Sequence, residues 1–220
     1  MATQLDLQEQ EQLDALKAFW KQYGNLITWV LVLALGAYAA WTGWQWYQRD
    51  QATKAGAIYD ELDRSASSGD AERVKRIFGD LKERYPRTAQ AAHGGLLAAS
   101  VLHDKGQADD ARAALGWVVE QGSDAALQQI ARLRLAALLL QAGQHDAALA
   151  QLDGVDDAAF AALAADRRGD VLSAMGRHAD AVAAYERAYK TMDEQAEYRR
   201  LVEAKLTALG AAPAASGAAR

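Results

Sequence analysis

Arg132-Leu-Arg-Leu-Ala-Ala-Leu-Leu-Leu-Gln-Ala-Gly143-Gln-His-Asp-Ala-Ala-Leu-Ala-Gln-Leu152 decides the fold. Gly143 is followed five residues later by Ala148, and four beyond that by Leu152. Four residues before the glycine stands Leu139, and three further back the small Ala136. The same spacing recurs around Gly106, with Ala99, Leu102, Ala111 and Leu115. It recurs again around Gly176, with Gly169, Leu172, Ala181 and Tyr185. The glycines are 37 and 33 residues apart. A weaker copy precedes them: Gly69 is followed by Val74, Phe78, Leu81 and Pro86, and lies 37 residues before Gly106.

This spacing describes a helical hairpin. The first helix carries small and large apolar residues on one stripe. Glycine closes it, because a left-handed turn costs little without a Cβ. The second helix packs a small residue close against the first and fills the groove with the residue four further on. A lone hairpin cannot bury its outer face, so hairpins stack. The period and the closing Pro86 match tetratricopeptide repeats, whose length is about 34 residues. Three clear hairpins and one divergent one are expected over residues 49–209. Gln195 to Leu209 reads as a capping helix, with Tyr198, Leu201, Val202, Lys205 and Leu209 on one face. Residues 210–220 lack the bulk to bury and are expected to be disordered. Composition agrees with an all-α class. Ala, Leu, Gln, Glu, Arg and Lys dominate, the chain is 51% apolar, and it holds two prolines in 220 residues.

Outside the repeat, Gln22 to Tyr47 carries no charge. About 20 residues at about 1.5 Å each cross a hydrocarbon core of about 30 Å. The run has that length, and aromatic rings stand at both edges: Trp20 and Tyr23 at one, Trp41, Trp44, Trp46 and Tyr47 at the other. Indole and phenol rings favour the headgroup level. Residues 22–48 are therefore expected to be a single transmembrane helix. The competing reading is a cleaved signal peptide, for which Ala37-Tyr-Ala39 has a cleavage-site form; the acidic leader and the aromatics beyond Ala39 oppose it. Ahead of the span, Leu13, Leu16 and Trp20 recur at helical spacing, which predicts a short interfacial helix within residues 1–21; docking onto a partner is the alternative. Lys17 and Lys21 precede the span while Arg49 and Lys54 follow it, so charge counting leaves the orientation open.

The formal net charge is −5. Residues 1–48 hold two Lys and four acids, and the remainder 22 basic and 25 acidic residues, so neither part offers the positive field that a phosphate backbone requires. No nucleic acid partner is expected. There is no cysteine, which removes disulfides, thiolate metal sites and cysteine nucleophiles.

No catalytic grouping emerges. His93, His103, His145 and His178 form no His-x3-His pair, and no metal site or cofactor is expected. Asp166 and Asp170, with Arg167 and Arg168 among them, read as a solvated, salt-bridged helix face. Gly94-Gly95 lies between Ala-rich helical stretches and reads as a close helix contact, not a phosphate loop. The function is then expected on the surface, and the first helix of each pair lines the inner face of such a solenoid. The glycine phase puts Tyr59, Leu96, Ser100, Leu133, Ala137, Leu140, Asp166 and Asp170 on that face. It is apolar at the centre and acidic towards the C-terminus, which suits an amphipathic or unfolded segment. The same leucines could equally serve as core.

Gln12-Leu-Asp-Ala-Leu-Lys-Ala-Phe-Trp20 with Gly24, Arg132-Leu-Arg-Leu-Ala136, Ala147-Ala-Leu-Ala-Gln-Leu-Asp153 and Ala165-Asp-Arg-Arg-Gly-Asp170 resemble the YfgM family, the ancillary subunits of the bacterial SecYEG translocon. The resemblance covers roughly residues 9–209; the chain departs from it in Trp20 and in its longer Ala/Pro/Gly tail. It implies a single-pass inner-membrane protein with a cytoplasmic N-terminus and a periplasmic C-terminal domain. It also implies contact with the SecYEG translocon and with a PpiD-type membrane-anchored periplasmic chaperone, and a role in handing on secreted client proteins. Rival readings are a scaffold of another envelope complex and a membrane-bound regulator that sequesters a signalling protein.

Overall fold

The computed structural model describes residues 7–193 and 195–212, with side chains from residue 11 onward. Residues 213–220, most of the tail expected to be disordered, lie outside it. The described residues are helical and hold no strand. By contacts the chain divides into two compact units, which meet at Asp50 and Gln51.

The first unit consists of most of helix α1 (Leu7–Ser67). The sequence predicts a short helix ahead of a separate span, but α1 runs through both without a break. Gly24, the natural place for a break, is overlain by the Trp20 ring. An interior glycine costs a helix only about 1 kcal/mol. Along this unit Leu26, Trp29, Val30, Leu31, Val32, Leu33, Leu35 and Tyr38 are all exposed. The Thr28 and Thr42 hydroxyls donate to the Gly24 and Tyr38 carbonyls at 2.8 Å, so neither carries an unmet hydrogen bond into an apolar surrounding.

The second unit contains α2 (Ala71–Arg84), α3 (Ala89–Asp104), α4 (Ala108–Gln121), α5 (Ala125–Gln141), α6 (His145–Asp153), a short 3-10 turn (Ala158–Phe160), α7 (Ala161–Ala174), α8 (His178–Thr191) and α9 (Glu197–Ala208). Each phased glycine is a turn between paired helices. Gly69, Gly106, Gly143 and Gly176 all have positive φ, between 68° and 77°. Each turn closes with two bonds. The Gly106 amide donates to the His103 carbonyl, and the Gln107 amide to the Leu102 carbonyl. Equivalent pairs form at Gly143, from Gly143 to Leu140 and Gln144 to Leu139, and at Gly176 and Gly69. These bonds satisfy carbonyls that the helix end would otherwise leave open. Asp70, Thr88 and Asp124 cap α2, α3 and α5 by accepting from amides in their first turns.

The phased side chains form the core. Ala111, Ala148 and Ala181, five residues after their glycines, are wholly buried, and Leu115, Leu152 and Tyr185 fill the grooves beside them. Where the groove residue is Leu, the small partner on the first helix is Ala99 or Ala136; where it is Tyr185, the partner is Gly169, and a Cβ there would sit 2.4 Å from the ring. The first hairpin is bulkier, with Leu62 and Phe78, and α3 makes room through Gly94 and Gly95. A Cβ on Gly95 would lie 2.3 Å from Val118. The double glycine is therefore a helix contact, as its Ala-rich setting suggested.

α9 continues the phase. Gly210 lies 34 residues after Gly176, has φ +76°, and closes the same two-bond turn through Leu206 and Thr207. Leu206, four residues before it, is buried like Leu102. At the place of the small residue stands Glu203, exposed. α9 is thus the first helix of a fifth repeat unit. Leu201, assigned from sequence to its buried face, is 48% exposed, while Val202 is fully covered.

Candidate functional site

The sequence-derived face combines first-helix positions at ten, six and three residues before each turn glycine. The structure separates them. Leu96 and Leu133 lie in the main core cluster. Arg134 of the next hairpin reaches back and donates to the Leu96 carbonyl at 3.4 Å, which covers that position. Tyr59, Ala137 and Leu140 are half-buried, and Ser100 is exposed. The accessible part of the face is therefore Ser100 flanked by half-buried apolar groups. Tyr59 is held above the ordinary phenol range by burial first, then by Asp63 and Asp60.

Asp166 and Asp170 do not form a solvated face. Asp166 has 0% exposure. α9 packs on the last hairpin and brings Lys205 and Tyr198 to it. Lys205 Nζ donates to Asp166 Oδ1 and Oδ2 at 2.8 and 3.0 Å, and pairs with Asp170 Oδ1 at 2.7 Å. The Tyr198 hydroxyl donates to Asp166 Oδ2 at 2.7 Å, and the Tyr185 hydroxyl to Asp170 Oδ1 at 2.8 Å. Buried carboxylates persist only when paired and hydrogen-bonded, and here every oxygen facing Lys205 is. Burial, the bond to Asp166 and its charge leave the Tyr198 phenol pushed up to about 12. Burial and Asp170 push Tyr185 up as well. The cluster locks α9 to α7 and α8. Sequence reasoning named Lys205 only as part of an amphipathic face. Its one usable signal was a lysine on the buried side of a helix, which demands an acidic partner.

The six aromatic residues placed at the membrane edges, Trp20, Tyr23, Trp41, Trp44, Trp46 and Tyr47, are all exposed on α1. α1 is long and apolar enough to cross a membrane, and none of its apolar window is covered by the rest of the chain. Among the described residues no three His, Asp or Glu side chains gather to hold a metal ion.

The family model described as a tetratricopeptide repeat-like domain matches residues 17–211, taking in the apolar helix as well as the hairpins. A Neisseria gonorrhoeae protein named ancillary SecYEG translocon subunit is 32% identical over 204 residues, which is 92% of this chain and 98% of that protein. Proteins of the same name from Haemophilus influenzae and Escherichia coli are 31% and 30% identical, over 84% and 83% of this chain and 90% and 88% of their own lengths. An uncovered apolar helix, a phased array of helical hairpins and collinear similarity through both converge on one assignment: the chain belongs to the family of the ancillary SecYEG translocon subunits.

Proposed function

We propose that this chain is a membrane-anchored protein-interaction module that works beside the SecYEG translocon and links secretion to periplasmic chaperones. The observation that carries the reading is the coupling, in one chain of this family, of an uncovered apolar helix to a hairpin array. In water an uncovered apolar helix of this length has no stable setting, whereas in a bilayer its internal hydrogen bonds and apolar surface are both satisfied. The array then serves as the contact surface, and no chemistry is assigned to it.

In this reading the N-terminus is cytoplasmic and the repeat domain periplasmic, within reach of a chaperone of the PpiD type and of secreted clients. Ser100, Ala137, Leu140 and Tyr59 are the positions at which partners meet the array. The test is photocrosslinking in cells. Photoreactive residues at Trp41 and Trp44 are expected to capture translocon helices, and residues at Ser100 and Ala137 to capture a chaperone or a client. Capture of a different envelope complex from Trp41 would replace the translocon by a scaffold role. A reporter fused after Leu209 that is active only in the cytoplasm would overturn the orientation.

A further inference from the structure

α6 is nine residues long, whereas α2, α4 and α8 each have 14. A notch of about 250 Å³ lies between Leu149 of α6 and the α7–α8 pair. Its floor is apolar: Leu149, Leu172 and Ala184. Leu149 packs against both core clusters, so the notch sits at the seam between them. Three guanidiniums line it, from Arg168, Arg177 and Arg187, with Asp180 as the one carboxylate. Arg168 pairs with Asp153, and Arg177 with Asp180 at 2.7 Å; in both pairs the acid is more than half exposed. Such exposed pairs contribute little and exchange readily. Arg187 is exposed and has no ion-pair partner among the described residues. With Asp153 on Arg168 and Asp180 on Arg177, one net positive charge remains, on Arg187, beside the apolar hollow.

We propose that this notch is a docking site for an acidic, apolar peptide segment: one aliphatic or aromatic side chain on the Leu149–Leu172 floor, with flanking carboxylates on Arg177, Arg187 and Arg168. The hollow is open to solvent, and its volume of about 250 Å³, below the roughly 300–1,000 Å³ of small-molecule sites, seats one side chain of a segment that continues outside it. Arginine forks bind carboxylates in two-pronged geometry, which fixes a peptide's register. The proposal rests on the interaction-module reading and is independent of the translocon.

The test uses the full chain in neutral phosphatidylcholine nanodiscs and a fluorescein-labelled peptide of alternating Glu-Glu and Leu-Leu pairs, with Lys-Lys and Gln-Gln versions as controls, read by anisotropy. The acidic peptide is expected to bind, and the lysine version not. Arg177→Glu with Arg187→Glu is expected to weaken the acidic peptide at least tenfold, with near-native binding for Arg84→Glu on α2. Ala183→Trp, at an exposed lining position, fills the hollow and is expected to weaken it similarly with all charges retained. Equal binding by the double variant and by Ala183→Trp overturns the proposal. So does a double variant that keeps the peptide but loses binding to phosphatidylglycerol vesicles, which would make the patch a lipid contact. Translocon crosslinking from Trp41, measured on the same double variant, separates failure of this site from failure of the interaction-module reading.

Discussion

Gly169 and Tyr185 show how one atom sets a hairpin. The third clear hairpin trades the Ala–Leu pairing of its neighbours for Gly–Tyr, and no room for a methyl remains. Gly169→Ala is expected to destabilise the domain by about 1–3 kcal/mol through overpacking, seen as a lower thermal midpoint by circular dichroism. Adding Tyr185→Leu, which restores the neighbours' pairing, is expected to recover part of that loss. Lys205→Met leaves Asp166 buried and uncompensated, and is expected to cost about 3 kcal/mol in chemical denaturation. The tyrosines add a pH signature. In the unfolded chain their phenols ionise near pH 10, but Tyr198 in the folded chain ionises only at about 12. Between those values the unfolded state loses protons that the folded state keeps, so stability falls as pH rises through the interval and is unchanged below it. Tyr198→Phe is expected to flatten that slope. Little of this network was legible in the sequence beyond the lysine on the buried side of α9. The i, i+4 spacing of Asp166 and Asp170 shows only local partners, of which the Arg167–Asp170 pair at 3.6 Å forms, while the partners of Asp166 lie 32 and 39 residues away.

At the scale of elements, glycines of opposite kinds make opposite predictions. Gly143 holds φ +71° at a turn, so Gly143→Ala is expected to cost about 1 kcal/mol or more. Gly116 lies inside α4 with nothing within 4 Å of where a Cβ would be. Gly116→Ala is expected to stabilise by about 0.5–1 kcal/mol. Urea denaturation of the two variants checks both signs. The turns were legible because positive φ restricts the position to glycine and stacking repeats it. The unbroken course of α1 was not, because the change from charged to uncharged residues after Lys21 looks like a boundary although the helix continues through it. The repeat register of α9 was written in Leu206 and Gly210. It was hidden because Glu203 replaces the small residue by which each earlier copy is recognised.

For the whole molecule, the anchor carries the clearest consequence. Replacing Leu33, mid-run in α1, by Arg is expected to cost about 3 kcal/mol of insertion; the fraction of chain resisting alkaline carbonate extraction should fall. The candidate face was only partly legible. Periodicity gave the helix and the turn of the helix, but it could not tell which turns the next hairpin would cover, and so Leu96 and Leu133 went to the core while Ser100 stayed open. A stacked array is also a kind of polymer, and polymers need terminators. At Glu203 a carboxylate occupies the seat that Ala99, Ala136 and Gly169 leave vacant for an incoming helix. A further helix stacked on α9 would have to bury that carboxylate unpaired, so a chimera that appends a hairpin there is expected to need Glu203→Ala to pack as the earlier seams do.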